Sequence, residues 1–142
     1  MNACKQMNAV KKSEKEPRKI RYVAITGSTP RNCKKMKLLL KRTSCYCLVE
    51  CFKNSSELEL KEDFYLPDVA IIEISSLMAL IPLHKNIQRL KEVIPGIRVI
   101  LYYNMLIKYP FLEKTKEQYT IIYANDSEER QLQQLDVELQ CE

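Results

Sequence analysis

The run Asp68-Val69-Ala70-Ile71-Ile72-Glu73-Ile74 constrains the fold more than any other part of the chain. Its apolar residues do not alternate with polar ones, so as a strand it would be buried on both faces, the pattern of a parallel sheet. Parallel strands need crossover connections, and the neighbouring segments supply them. Tyr22 to Thr26, Cys45 to Phe52, Arg98 to Tyr103 and Tyr119 to Tyr123 are further short, β-rich apolar runs. Between the first two, Cys33, Met36, Leu39 and Leu40 recur at helical spacing, with Lys34, Lys35, Lys37, Lys41 and Arg42 on the water side. Pro30 suits the first turn of that helix. A capping box, Ser56 to Glu59, opens a short helix that must stop before Pro67. Leu83, Ile87, Leu90 and Ile94 form another stripe, halted by Pro95-Gly96, and a short helix begins near Pro110. Asp126, with Glu129 three residues on, caps a last helix that carries Leu132, Leu135 and Leu139. This alternation predicts one α/β domain over residues 20–142, a three-layer α/β/α sandwich on a five-stranded parallel sheet. Residues 1–19 lack apolar periodicity and read as a flexible basic arm.

At 142 residues, 46% hydrophobic and 29% charged, the chain has the make-up of a single globular domain. Its net charge of +5 is unevenly spread: residues 1–42 hold 13 Lys/Arg and two acids, the remainder 10 and 16. Lys5, Lys11, Lys12, Lys15, Arg18, Lys19 and Arg21 could meet nucleic acid or another acidic partner, although a solvated tail and one helix face produce the same counts. No helix-turn-helix or zinc-finger spacing accompanies them, which leaves non-specific phosphate contact as the nucleic-acid option. The two glycines, Gly27 and Gly96, are too few for a glycine-rich phosphate cradle.

No stretch reaches the roughly 18 apolar residues of a membrane span, and the start lacks the apolar core of a signal peptide. A cytoplasmic protein is expected, with Cys4, Cys33, Cys45, Cys47, Cys51 and Cys141 as free thiols. Cys45-x-Cys47 with Cys51 could suggest a soft metal, but no fourth ligand lies nearby and the single His84 heads a distant helix. No Ser or Cys stands in a recognisable arrangement with that histidine either. No metal, cofactor or catalytic group is therefore expected.

Ligands of parallel α/β sheets bind outside the carboxyl ends of the strands. Those ends offer Thr26-Gly27, Glu73, Tyr103-Asn104 and Tyr123-Ala124-Asn125. Glu73 interrupts an apolar run, and a buried carboxylate without a partner is costly. Tyr103 and Tyr123 carry hydroxyls that could donate to it.

In order and spacing, Ile20 to Leu139 resembles the receiver domain of two-component response regulators. LPDVAIIEISSLMALIPLHKNIQRLKEVIPGIRVILYYN is similar to the family's third through fourth strands, and YTIIYANDSEERQLQQL to its fifth strand and final helix. The resemblance implies the strand order 2-1-3-4-5. It places the family's Mg²⁺-binding acid pair on Thr26-Gly27, its phosphoacceptor aspartate on Glu73, its switch Ser/Thr on Tyr103 and its lysine on Tyr123. What it implies is a degenerate receiver, unable to take phosphate by the family's route and acting by binding a protein partner, itself included. Ile107, Tyr109, Phe111 and Leu112 are candidates for that contact, or for the domain's own core. A second, shorter resemblance links ITGSTPRNCKKM to the phosphate loop of flavodoxins, with Ser28, Thr29, Arg31 and Asn32 as candidate ligands of a flavin or nucleotide phosphate. No aromatic follows the third strand, where SSLMALIP stands, to stack on a flavin ring.

Overall fold

Every residue of Val69–Ile74 is buried, Glu73 included, as a run with no polar alternation requires. The computed structural model describes residues 19–59, 66–107, 109 and 112–141. Its strands are β1 (Ile20–Thr26), β2 (Tyr46–Phe52), β3 (Val69–Ile74), β4 (Arg98–Tyr103) and β5 (Thr120–Tyr123). Between and after them come α1 (Pro30–Lys41), α2 (Ser55–Glu59), α3 (Leu83–Val93), α4 (Leu112–Gln118) and α5 (Glu128–Glu138), with a 3₁₀ turn at Leu77–Ala79. All four pairings are parallel and the order is β2-β1-β3-β4-β5, the order implied by the receiver resemblance. β3 therefore lies mid-sheet, which is why it reads as the most apolar strand.

Alternation along each strand sends side chains to two cores. On one face Val23, Ile25 and Ile71 meet Met36 and Leu40 of α1 and Leu135 of α5. On the other, Ala24 and Ala70 meet Leu58 and Leu90, while Ile74 and Leu101 meet Ile87. Each fully buried Leu or Ile contributes roughly 1.5–3 kcal/mol relative to its exposed state, so these two layers carry most of the cohesion.

The helix starts differ in detail from the sequence reading. α1 opens as expected: Thr29 Oγ1 accepts from the Asn32 N–H at 3.2 Å, with Pro30 as its first residue. The box assigned to Ser56 and Glu59 forms two residues earlier. Asn54 Oδ1 accepts from the Glu57 N–H at 2.9 Å, and the Glu57 carboxylate reaches back to the Lys53 N–H at 3.2 Å. At α5 the cap is Ser127, accepting from the Arg130 N–H at 3.2 Å. Asp126 is still in the turn leaving β5, its N–H on the Tyr123 carbonyl at 3.1 Å, and its carboxylate pairs instead with Arg130.

One further expectation is corrected. Four of the cysteines are not free thiols: Cys33 is bonded to Cys51 and Cys45 to Cys141, with Cα separations of 6.6 and 5.0 Å, inside the range a disulfide spans. Cys47 belongs to neither bond, and Cys4 lies outside the described residues. The thiol expectation weighed compartment alone, whereas the topology brings these pairs together across 18 and 96 residues of sequence. The last cations of the basic segment also have partners within the chain. Arg21 Nε donates to the Leu139 carbonyl at 2.7 Å and its Nη2 to Gln140 at 3.2 Å, while Lys19 Nζ reaches the Gln140 carbonyl at 3.4 Å. They satisfy the orphan carbonyls at the end of α5, where a cation is also favoured by the helix dipole. The rest of the arm, Lys5 to Arg18, lies outside the described residues. No helix among the described residues is long and apolar enough to cross a membrane.

Both glycines adopt left-handed backbone, φ 79° at Gly27 and 87° at Gly96. A Cβ on Gly27 would stand 3.1 Å from the Glu73 carbonyl oxygen, whereas one on Gly96 would meet nothing within 4 Å. Left-handed backbone alone costs an L-residue about 1–2 kcal/mol. Gly27→Ala is accordingly expected to lower the thermal midpoint further than Gly96→Ala; equal shifts in denaturation scans would show that the close approach at Gly27 carries no energy.

Candidate functional site

Glu73, the next-to-last residue of β3, shares a sheet face with Val69 and Ile71 and is only 4% exposed. Its carboxylate is held by three neutral donors. Ser28 Oγ donates to Oε1 at 2.6 Å, and the amides of Asn32 and Asn104 donate to Oε2, each at 2.9 Å. The donors come from the β1–α1 loop, the first turn of α1 and the residue following β4. Backbone bonds set each position: the Gly27 N–H meets the Lys53 carbonyl at 3.2 Å, the Cys33 N–H meets Thr29 at 2.8 Å, and the Asn104 N–H meets Ile74 at 2.8 Å. Hydrogen bonds to a charged acceptor are worth roughly 1.5–3 kcal/mol each, and together they offset the desolvation of a buried carboxylate.

The tyrosines do not play the part expected of them. In the β3–β4 register Glu73 stands opposite Tyr102, and Ile74 opposite Tyr103, so Tyr103 occupies the other face of the sheet. Tyr123 stands opposite Tyr103 and shares that face. Tyr103 Oη donates to the Ile107 carbonyl at 2.6 Å, and the Tyr123 ring meets its ring edge-on with centroids 5.8 Å apart. The face of Glu73 holds Tyr102, whose hydroxyl donates to Gln131 Oε1 at 2.9 Å. Gln131 Nε2 in turn donates to the carbonyls of Ala124 and Asp126, which ties the β5–α5 loop to the same strand end. Burial, and after it the charge of Glu73, pushes the Tyr102 phenol above its ordinary range; burial does the same to Tyr103.

Three of the four candidate phosphate ligands are also committed elsewhere. Ser28 and Asn32 face Glu73, Thr29 caps α1, and Arg31 is exposed. Thr26 is buried. Beside the cradle, a cleft of about 640 Å³ opens between α1 and α5, lined by Asn32, Met36, Tyr102, Asn104 and Gln131 among others. Of the candidate contact residues, Ile107 is 62% exposed and its neighbour Leu106 88%, whereas Tyr109 packs against the core around Tyr103. Leu112 opens α4, and Phe111 lies outside the described residues. Asn104 stands at a strand end in the sequence, where nothing local marks it as a donor to Glu73. The usable signal was positional: β1 and β4 flank β3, so donors placed just after those two strands are the ones that reach its acid.

Two measurements test this geometry. Glu73→Ala leaves three donors without their acceptor and is expected to cost about 2 kcal/mol in denaturant unfolding, with Ser28→Ala costing about 1 kcal/mol; a neutral Glu73→Ala would show that the cradle contributes nothing. A phenol whose folded value is raised above 10.0 contributes stability that is complete below pH 10 and is lost as pH rises through the folded value. Stability should thus fall in the alkaline limb, and Tyr102→Phe should reduce that fall. An unchanged alkaline limb would contradict the assignment.

No protein-family model and no curated protein sequence matches the chain. Solved structures do. A pilus assembly protein CpaE from Caulobacter crescentus superposes with a TM-score of 0.59 at 9% identity, over 82% of this chain and 98% of that one. A response regulator CheY-like protein from Mesorhizobium loti matches with a TM-score of 0.60 at 10% identity, over 84% of this chain and 99% of that one. A response regulator receiver domain protein from Clostridium thermocellum matches with 0.56 at 14%, covering 84% and 94%. At these identities the likeness concerns the fold, and the fold is receiver-like: a flavodoxin-like α/β domain with its strands in the order 2-1-3-4-5.

Proposed function

We propose that the chain is a receiver-like regulatory module that performs no phosphoryl transfer and acts by binding another protein, with self-association as one form of that binding. The supporting observation is the cradle of Glu73. The residue at the place of the family's phosphoacceptor has both carboxylate oxygens engaged by Ser28, Asn32 and Asn104 of its own chain. Phosphoryl transfer needs an available acceptor and cations to neutralise the transferring group, and Mg²⁺ is held by carboxylates together with phosphate oxygens. Thr26-Gly27 supplies no carboxylate, and among the described residues no group of three His, Cys, Asp or Glu side chains is placed to hold a metal. This donor set does not fit Mg²⁺. Glu73, one methylene longer than Asp, instead acts as a fixed acidic side chain at the strand end. Tyr103 anchors the β4–α4 loop through the Ile107 carbonyl, and the same loop presents the Leu106 and Ile107 side chains to solvent for a partner.

Incubation with acetyl phosphate and Mg²⁺ is expected to leave the intact mass unchanged, and a stoichiometric phosphoryl adduct would overturn the proposal. Partner capture should weaken in Glu73→Gln, which removes charge and nearly preserves shape, and in Ile107→Ser.

The cleft beside Asn32 has the volume of a ligand site and favours a second reading, with a flavin or nucleotide phosphate on the Thr26–Asn32 loop. A phosphate there would face the Glu73 carboxylate, so added FMN is expected to keep its free absorbance; a shifted spectrum with saturable binding would establish this reading instead.

A further inference from the structure

A groove of about 790 Å³ lies where α1 meets the end of β2, and the Cys33–Cys51 bond forms part of its wall. The two sulfur-bearing residues differ sharply in access: Cys33 is 4% exposed, while Cys51 is exposed. Lys34, Lys37, Lys41 and Lys53 line the same groove; Glu57 is the one carboxylate among its lining residues, and it faces the Lys53 N–H. Cys33 also sits in the first turn of the 12-residue α1, where the helix dipole favours an anionic sulfur. The second disulfide differs in access: Cys45 and Cys141 are both buried, at 1% and 8% exposure.

We propose that Cys51 is a thiol–disulfide exchange site for a small anionic thiol of the glutathione type, with Cys33 as the leaving and resolving sulfur. The lysines draw the anionic thiol into the groove, and Cys51 presents the sulfur that can be reached. The incoming thiolate attacks Cys51 Sγ, the Cys33–Cys51 bond breaks, and its electron pair leaves on Cys33 as a thiolate that takes a proton from water. The product is a mixed disulfide on Cys51. In the reverse direction the Cys33 thiolate attacks Cys51 Sγ and expels the small thiolate, restoring the bond. Alternatively, a second thiolate attacks the small-molecule sulfur of the mixed disulfide, releasing the Cys51 thiolate and the oxidised small disulfide. Two thiols have then passed two electrons to the protein. Exchange of this kind is fastest when the attacked sulfur is accessible and the leaving thiolate is stabilised. Cys51 meets the first condition, and the helix start beside the groove lysines offsets the apolar burial of Cys33 for the second. Because Cys33 follows Asn32, the exchange acts on the same helical turn that donates to Glu73.

The test uses the oxidised full chain, treated in parallel with reduced glutathione and with 2-mercaptoethanol, which bears no charge besides its thiolate, quenched by alkylation and read by peptide mass spectrometry. With glutathione, the adduct is expected on Cys51 with Cys33 alkylated, about tenfold sooner than the Cys45–Cys141 bond opens. The double substitution Lys37→Gln, Lys53→Gln is expected to slow the glutathione reaction about three- to tenfold and the 2-mercaptoethanol reaction by a smaller factor, because the latter thiolate carries no further charge. An adduct on Cys33, equal opening of the two bonds, an equal lysine effect on both thiols, or an oxidised chain lacking the Cys33–Cys51 cross-link would each overturn the proposal.

Discussion

A carboxylate withdrawn from water at the end of a buried strand must be met by donors, and the segments that meet it lose their freedom. Glu73 imposes that condition here. Its three donors belong to the loop after β1, the first turn of α1 and the end of β4, so one side chain correlates the positions of three connections. The left-handed Gly27, whose missing Cβ lets the loop approach the Glu73 carbonyl, belongs to the same arrangement. Tyr102 and Gln131 extend it to the β5–α5 loop. The receiver-like fold is thus drawn together at the strand end by a charge the chain supplies itself.

Much of this was legible because the governing signals are local. An apolar run without alternation, a stripe recurring every three or four residues and a proline at a helix start each report a physical requirement that tertiary structure did not override. The stripes Cys33-Met36-Leu39-Leu40 and Leu83-Ile87-Leu90 are buried as spaced. The need for partners at Glu73 was equally visible, since one acid breaks the run. The identity of the partners turned on parity. A shift of one residue moves a side chain to the opposite face, and register sets Tyr103 opposite Ile74 rather than Glu73. A phenol adjacent in sequence was therefore excluded, and the amide one residue further on was brought in.

What stayed illegible depends on long-range placement or on close local competition. The cysteine pairs are joined by the winding of the chain, which composition does not reveal. Caps at Asn54 and Ser127 displaced the expected ones by one or two residues, because several short polar side chains competed for the same orphan N–H groups. Arg21 looked like part of a solvated basic tail until α5 returned to the start of β1 and offered its last carbonyls.

That return of α5 has a practical side. The clasp of Lys19 and Arg21 on Leu139 and Gln140, together with the Cys45–Cys141 bond, gathers the first and last described residues at the amino ends of the strands. Glu73 and its cradle lie at the carboxyl ends, the far pole of the sheet. A tag, tether or fused module joined near either of these residues would leave from one pole and keep the other clear, so the domain can be immobilised or linked without masking the surface on which its recognition would be measured.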